Sequence, residues 1–123
     1  MKRPPDCTQT VLVVEDEAIV TLHVRQLLEE AGFRTVAARD ADAALEWLAN
    51  GEEIDVLLTD VTMPGSMDGV RLAKQVSEQW PAVRVAVISG QAVPIGLPAG
   101  ARFFRKPLDP RDVVAELHML VDK

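Results

Sequence analysis

The residues able to do chemistry in this chain sit where apolar runs stop. The run 10–14 (TVLVV) ends at Glu15-Asp16, the run 54–59 (IDVLLT) ends at Asp60, the run 83–88 ends at Ser89-Gly90, and the short run 101–104 ends at Arg105-Lys106. Gathered at one place, three carboxylates repel: two unit charges at ~4 Å cost on the order of 4 kcal/mol at an effective dielectric near 20, so a cation belongs among them. A site offering only oxygen suits magnesium, which accepts a few carboxylates and keeps its remaining positions for water or phosphate oxygens. With no cysteine in these runs and neither histidine at a run end, a softer metal is not favoured. A carboxylate is also a competent nucleophile toward phosphorus once the incoming charge is neutralised. Asp60 is the candidate nucleophile, with the Lys106 ammonium and the Ser89 hydroxyl as donors to phosphoryl oxygens.

These groups meet only if the elements between them are arranged to bring them together. Residues 17–31 place Val20, Val24, Leu27, Leu28 and Ala31 at helical spacing, and Gly32 is a C-terminal stop. Residues 33–38 form a weaker strand. Asp40 then stands as an N-cap before Ala41, Ala44, Leu45 and Leu48, with Gly51 closing that helix. After the Asp60 strand and a Pro64-Gly65 turn, a third helix is expected from about Asp68 to Trp80, before Pro81. Asp109-Pro110 supply an N-cap and a first-turn proline for a last helix carrying Val113, Val114, Leu117, Leu120 and Val121. Residues 91–100 (QAVPIGLPAG) hold two prolines and two glycines, which predicts a loop or a single turn rather than an ordinary helix.

Strands alternating with helices imply an α/β fold, with a parallel sheet and helices on both faces. Ligands bind such sheets outside the carboxyl ends of the strands, where the strand order reverses. Glu15, Asp16, Asp60, Ser89 and Lys106 all fall on that edge.

The bulk composition narrows the classes of function. At 123 residues the chain is one domain by length, able to bury a core without disulfides, and its lone Cys7 cannot form an intramolecular bridge. No secretory leader or apolar span is read from it, so a cytoplasmic setting is expected. A net charge of -6 without a basic run argues against a nucleic-acid surface. Hydrophobic content of 48% with 4% aromatics describes a core of Val, Leu and Ala.

Taken together, VVEDE at 13–17, LLTDVTMPG at 57–65, MDG at 67–69, VISG at 87–90 and FRKP at 104–107 resemble a response-regulator receiver domain of two-component signalling. The resemblance runs from about residue 10 to 122. It implies a flavodoxin-like, doubly wound five-stranded sheet in the order 2-1-3-4-5, here with a short or irregular fourth helix. Residues 1–9 are expected as a flexible tail, and residues 10–123 as a receiver domain without an output domain. Position by position, Asp60 becomes the phosphoacceptor, and Glu15, Asp16, Asp60 and the backbone carbonyl of Thr62 become the Mg ligands. Lys106 becomes the phosphate-pairing lysine, Ser89 the switch hydroxyl and Phe103 the switch aromatic. The Lys106–Pro107 peptide bond is commonly cis in the family. The implied partners are a histidine kinase or a histidine phosphotransfer protein upstream and a further protein downstream, with no direct nucleic acid and no membrane. The Pro/Gly-rich 91–100 stretch points to the single-domain or hybrid-kinase type.

Each residue alone has a plainer role. Asp16 can serve as the N-cap of the first helix, Asp60 and Ser89 as turn residues, and Lys106 as a solvated lysine covering apolar surface. Phe103 can be core filling. His23 and His118 read as surface or flank residues, and Trp47 and Trp80 as helix packing. Two other functions compete: a haloacid-dehalogenase-type phosphatase and a non-phosphorylated binding module. The first fits poorly, because that family carries an acid two residues after its nucleophile where this chain has Thr62, and its nucleophile follows the first strand. Retention of the acid pair, Asp60 and Lys106 argues against the second.

Overall fold

The structure, a computed structural model, describes residues 9–62, 67–90, 94–106 and 109–121. The expected tail up to residue 8, the Pro64-Gly65 turn, residues 91–93 and the Lys106–Pro107 bond lie outside them.

The elements alternate as the apolar pattern requires: β1 (Thr10–Val14), α1 (Ala18–Glu30), β2 (Arg34–Ala38), α2 (Ala41–Ala49), β3 (Val56–Asp60), α3 (Gly69–Gln79), β4 (Arg84–Ser89), β5 (Arg102–Arg105) and α4 (Pro110–Val121). All strand pairs are parallel, in the order β2-β1-β3-β4-β5. β1 and β3 are buried on both faces along their whole length, which is why they read as unbroken apolar runs rather than alternating ones.

Side-chain alternation along the strands builds two cores. Leu12, Val14, Leu57, Val85 and Val87 pack with Ala41, Ala44 and Leu48 of α2 and with Leu72, Ala73 and Val76 of α3. Val11, Val13, Val56, Leu58, Ala86, Ile88 and Phe104 pack with Val24 and Leu28 of α1 and with Val113 and Leu117 of α4. The two-residue period of the strands divides the helices between the faces.

Local signals set the helix ends. The Asp40 side chain accepts from Ala43 N–H at 2.9 Å, Asp68 from Arg71 N–H at 3.0 Å, and Asp109 from Arg111 N–H at 2.9 Å. Gly32 and Gly51 follow α1 and α2 with φ of 100° and 85°, a left-handed conformation that suits glycine. Trp47, on α2, packs against the α2/α3 core and donates its Nε1–H to Ala37 O at 2.9 Å, while Trp80 caps α3 against the same core.

Among the described residues there is no helix between β4 and β5. Residues 94–100 run as irregular chain with turns at Ile95-Gly96 and Ala99-Gly100, and Leu97 packs onto the α2/α3 core. The Pro/Gly content of that stretch accounts for this, since proline removes a backbone donor and glycine raises the entropy of ordering.

Candidate functional site

Because β1 lies between β2 and β3, the chain reverses its direction of sheet growth at β1, and the opening lies beyond the carboxyl ends of β1 and β3. Val14 pairs with Thr59, so Glu15 and Asp60 stand side by side one step further on. Asp60 pairs in turn with Ile88, Ser89 with Arg105, and Lys106 N–H donates to Ser89 O at 2.9 Å. Parallel register therefore carries all five chemically competent residues to one edge.

Lys106 Nζ lies 2.9 Å from Asp60 Oδ2, a charge-assisted hydrogen bond between residues 46 apart in sequence. Thr62 N–H donates to the other oxygen, Asp60 Oδ1, at 3.2 Å. Asp60 and Glu15 are each only 6% exposed, whereas Asp16 is open to solvent. One carboxylate oxygen from each of Glu15, Asp16 and Asp60 lies within 4.8 Å of the others, a grouping that can hold a metal ion. All three donors are hard oxygens, and two are withdrawn from water, which fits a hard divalent cation.

The electrostatics are those of a site that wants positive charge. Burial pushes the Glu15 carboxyl up to about 7, with the Asp16 and Asp60 carboxylates adding to the rise, against a lowering contribution from Glu17 N–H. Lys106 is raised above its ordinary value, chiefly by its hydrogen bond to Asp60.

One sequence expectation meets the geometry differently. Asp16 is not the N-cap of α1: Glu17 occupies that position without a side-chain cap, and the free Glu17 N–H is taken by Glu15 Oε2 at 3.0 Å. The cap comes from a carboxylate two residues earlier, which leaves Asp16 to project into solvent. Ser89 is buried at the end of β4, and Phe103 is half-buried in β5, level with Val87, lining a cleft with Asp112, Ala115 and Glu116 of α4. His23 is exposed on α1, and His118 stacks on Phe33 with ring centroids 4.6 Å apart; neither approaches the acidic cluster.

One contact carried no signal in the sequence. The hydroxyl of Thr59, fully buried, donates to the backbone carbonyl of Asp60 at 2.9 Å.

The sequence matches the family described as "Response regulator receiver domain" over residues 11–118. This chain belongs to that family. It is 31% identical over 117 residues to the response regulator receiver protein CpdR of Brucella abortus, covering 90% of this chain and 95% of that one. It is 30% identical over 115 residues to the transcriptional regulatory protein CpxR of Escherichia coli, where it spans 48% of the relative's length. Among solved structures, a response regulator receiver protein from Sinorhizobium medicae superposes with a TM-score of 0.87 at 27% identity, covering 94% of this chain and 95% of that one. The strand order and switch point described above are thus those of a receiver domain. Among the described residues, no helix is long and apolar enough to cross a membrane.

The position of Glu15 in this receiver domain has a measurable consequence. Its carboxyl moves from the ordinary 4.5 to about 7 on folding, so the folded state holds more protons than the unfolded state between those values. The stability that Glu15 contributes is complete below the lower value and is lost as pH rises through the higher one. With divalent cations chelated, denaturant unfolding across roughly pH 5 to 8 is expected to show wild type losing stability relative to Glu15→Gln, with the difference levelling above the upper value. Parallel curves would contradict this.

Proposed function

We propose that this receiver domain accepts a phosphoryl group on Asp60 in a Mg-dependent reaction, from a phosphohistidine of a histidine kinase or histidine phosphotransfer protein. The observation that carries the reading is the 2.9 Å pairing of Lys106 with Asp60 on one side and the Glu15/Asp16 acid pair on the other.

In the forward step an Asp60 carboxylate oxygen forms a bond to phosphorus as the phosphorus–nitrogen bond breaks, and the departing imidazole keeps that electron pair. Hydrolysis restores Asp60: water attacks phosphorus, the bond to the carboxylate oxygen breaks with its electron pair returning to the carboxylate, and inorganic phosphate leaves. Glu15, Asp16, Asp60 and the Thr62 carbonyl would hold Mg, which when bound supplies charge neutralisation for the phosphoryl oxygens. Lys106 pairs with a phosphoryl oxygen and Ser89 donates to another. Thr62 N–H, already on Asp60 Oδ1, holds the carboxylate's plane.

The new charge also supplies a switch. Drawing the Ser89 hydroxyl toward the phosphoryl group opens room for Phe103 to turn inward from its half-buried place on β5. That alters the surface between β5 and α4, which is where a downstream protein would sense the change.

Incubation with acetyl phosphate and magnesium is expected to add one phosphoryl mass to wild type and none to Asp60→Asn, read by intact-protein mass spectrometry; equal labelling of both would sink the proposal. Lys106→Ala is expected to take label but to leave the Phe103 ring resonances unmoved, because the lysine couples the bound phosphoryl group to the switch. Wild-type shifts at Phe103 in the labelled variant would contradict that role.

A further inference from the structure

Asp60 stands on a peptide unit that has almost no freedom to move. Its successor, Val61, donates its N–H to Ile88 O at 2.9 Å and accepts Gly69 N–H on its own carbonyl at 2.8 Å. The Asp60 carbonyl accepts the Thr59 hydroxyl at 2.9 Å. Against the same carbonyl lies Gly69, the first residue of α3. A Cβ there would fall 2.0 Å from Asp60 O, 2.8 Å from Asp60 C and 2.9 Å from Val61 Cα. Every one of those atoms is backbone, so no side chain can rotate out of the way.

The glycine is not required by conformation. Gly69 is absent from the residues with positive φ, so an alanine could adopt its backbone angles without strain. It is required by space alone, at the one point where α3 touches the end of β3. Neither neighbour yields easily: α3 is anchored by Leu72, Ala73 and Val76, each fully buried, and β3 is the central strand of the sheet.

We infer that Gly69 and the Thr59 hydroxyl are positioning residues for the phosphoacceptor, both bearing on the Asp60 carbonyl and so setting the depth of the carboxylate against Lys106 and the acid pair. The inference rests on the function proposed above. Relieving a 2.0 Å contact to the 3.0 Å that real Cβ atoms respect moves something by about 1 Å. If the Asp60-Val61 peptide moves, Asp60 and Thr62 move with it. A misplacement of about 1 Å in a reacting group slows a reaction by up to about a hundredfold.

The test compares wild type, Gly69→Ala, Thr59→Val and Gly32→Ala. The last strains the backbone at a glycine with φ of 100° and nothing within 4 Å of its Cβ, at the far end of α1, so it destabilises without touching the site. For each, the folded fraction is set by denaturant unfolding, the phosphorylation rate is measured with acetyl phosphate at saturating magnesium, and magnesium affinity is measured by calorimetry without phosphodonor. Gly69→Ala is expected to be slowed about ten- to a hundredfold per folded molecule and to bind magnesium more weakly, Thr59→Val to be slowed several-fold, and Gly32→Ala to match wild type in both. Wild-type rate and affinity in folded Gly69→Ala would mean that α3 absorbs the displacement, and would overturn the inference. If Gly69→Ala does not fold, Thr59→Val decides, because it keeps the shape and removes only the donor; wild-type values there overturn it. If wild type itself takes no label, the proposed function fails, and the magnesium titration alone still decides the positioning role.

Discussion

The structure depends on an unbalanced charge. Three carboxylates converge within 4.8 Å at the carboxyl edge of the sheet, two of them buried, and a single partner cation, Lys106, is paired with one of them in the described structure. An ionised pair at that separation repels by about 3 kcal/mol at an effective dielectric near 20, and by less where water reaches Asp16. The protein tolerates this because its two cores are closed beneath the site and because Glu15 can hold a proton up to about 7. On the proposed function, a site strained toward further positive charge, beside a carboxylate already aligned by two donors, receives a cation and an anion together. That is the electrostatic requirement of phosphoryl transfer to an aspartate.

Much of this was legible in the residues themselves. The runs ending at Glu15-Asp16, Asp60 and Ser89 are strands buried on both faces almost throughout, so composition alone marks them, whereas the edge strand before Lys106 is shorter and partly exposed; a parallel sheet must open all their ends in one direction. The caps at Asp40, Asp68 and Asp109 and the stops at Gly32 and Gly51 follow from side-chain and backbone chemistry local to a few residues. The Pro/Gly-rich stretch before β5 announces an irregular connection for the same local reason.

What was not legible depends on which way buried side chains turn and on how closely α3 approaches β3. Asp16 has the composition of an N-cap, yet it is the buried Glu15 that reaches forward to the Glu17 N–H. Thr59 reads as one more β-branched strand residue, yet its buried hydroxyl donates to the carbonyl of the acceptor itself. Gly69 reads as a helix-start glycine, whereas the space left by Asp60 O is what excludes a side chain. That last constraint is a property of a pair of surfaces, and neither sequence segment carries it alone.

The central claim is that the phosphoryl group resides on Asp60 as an acyl phosphate. Borohydride reduces an acyl phosphate to the alcohol, turning a phosphorylated aspartate into homoserine, and peptide mapping by mass spectrometry then identifies the position. After incubation with a phosphodonor and magnesium, the account predicts homoserine at position 60 and at no other acid. Reduction at Glu15 or Asp16, or phosphate retained on His23 or His118 with position 60 unchanged, would contradict it.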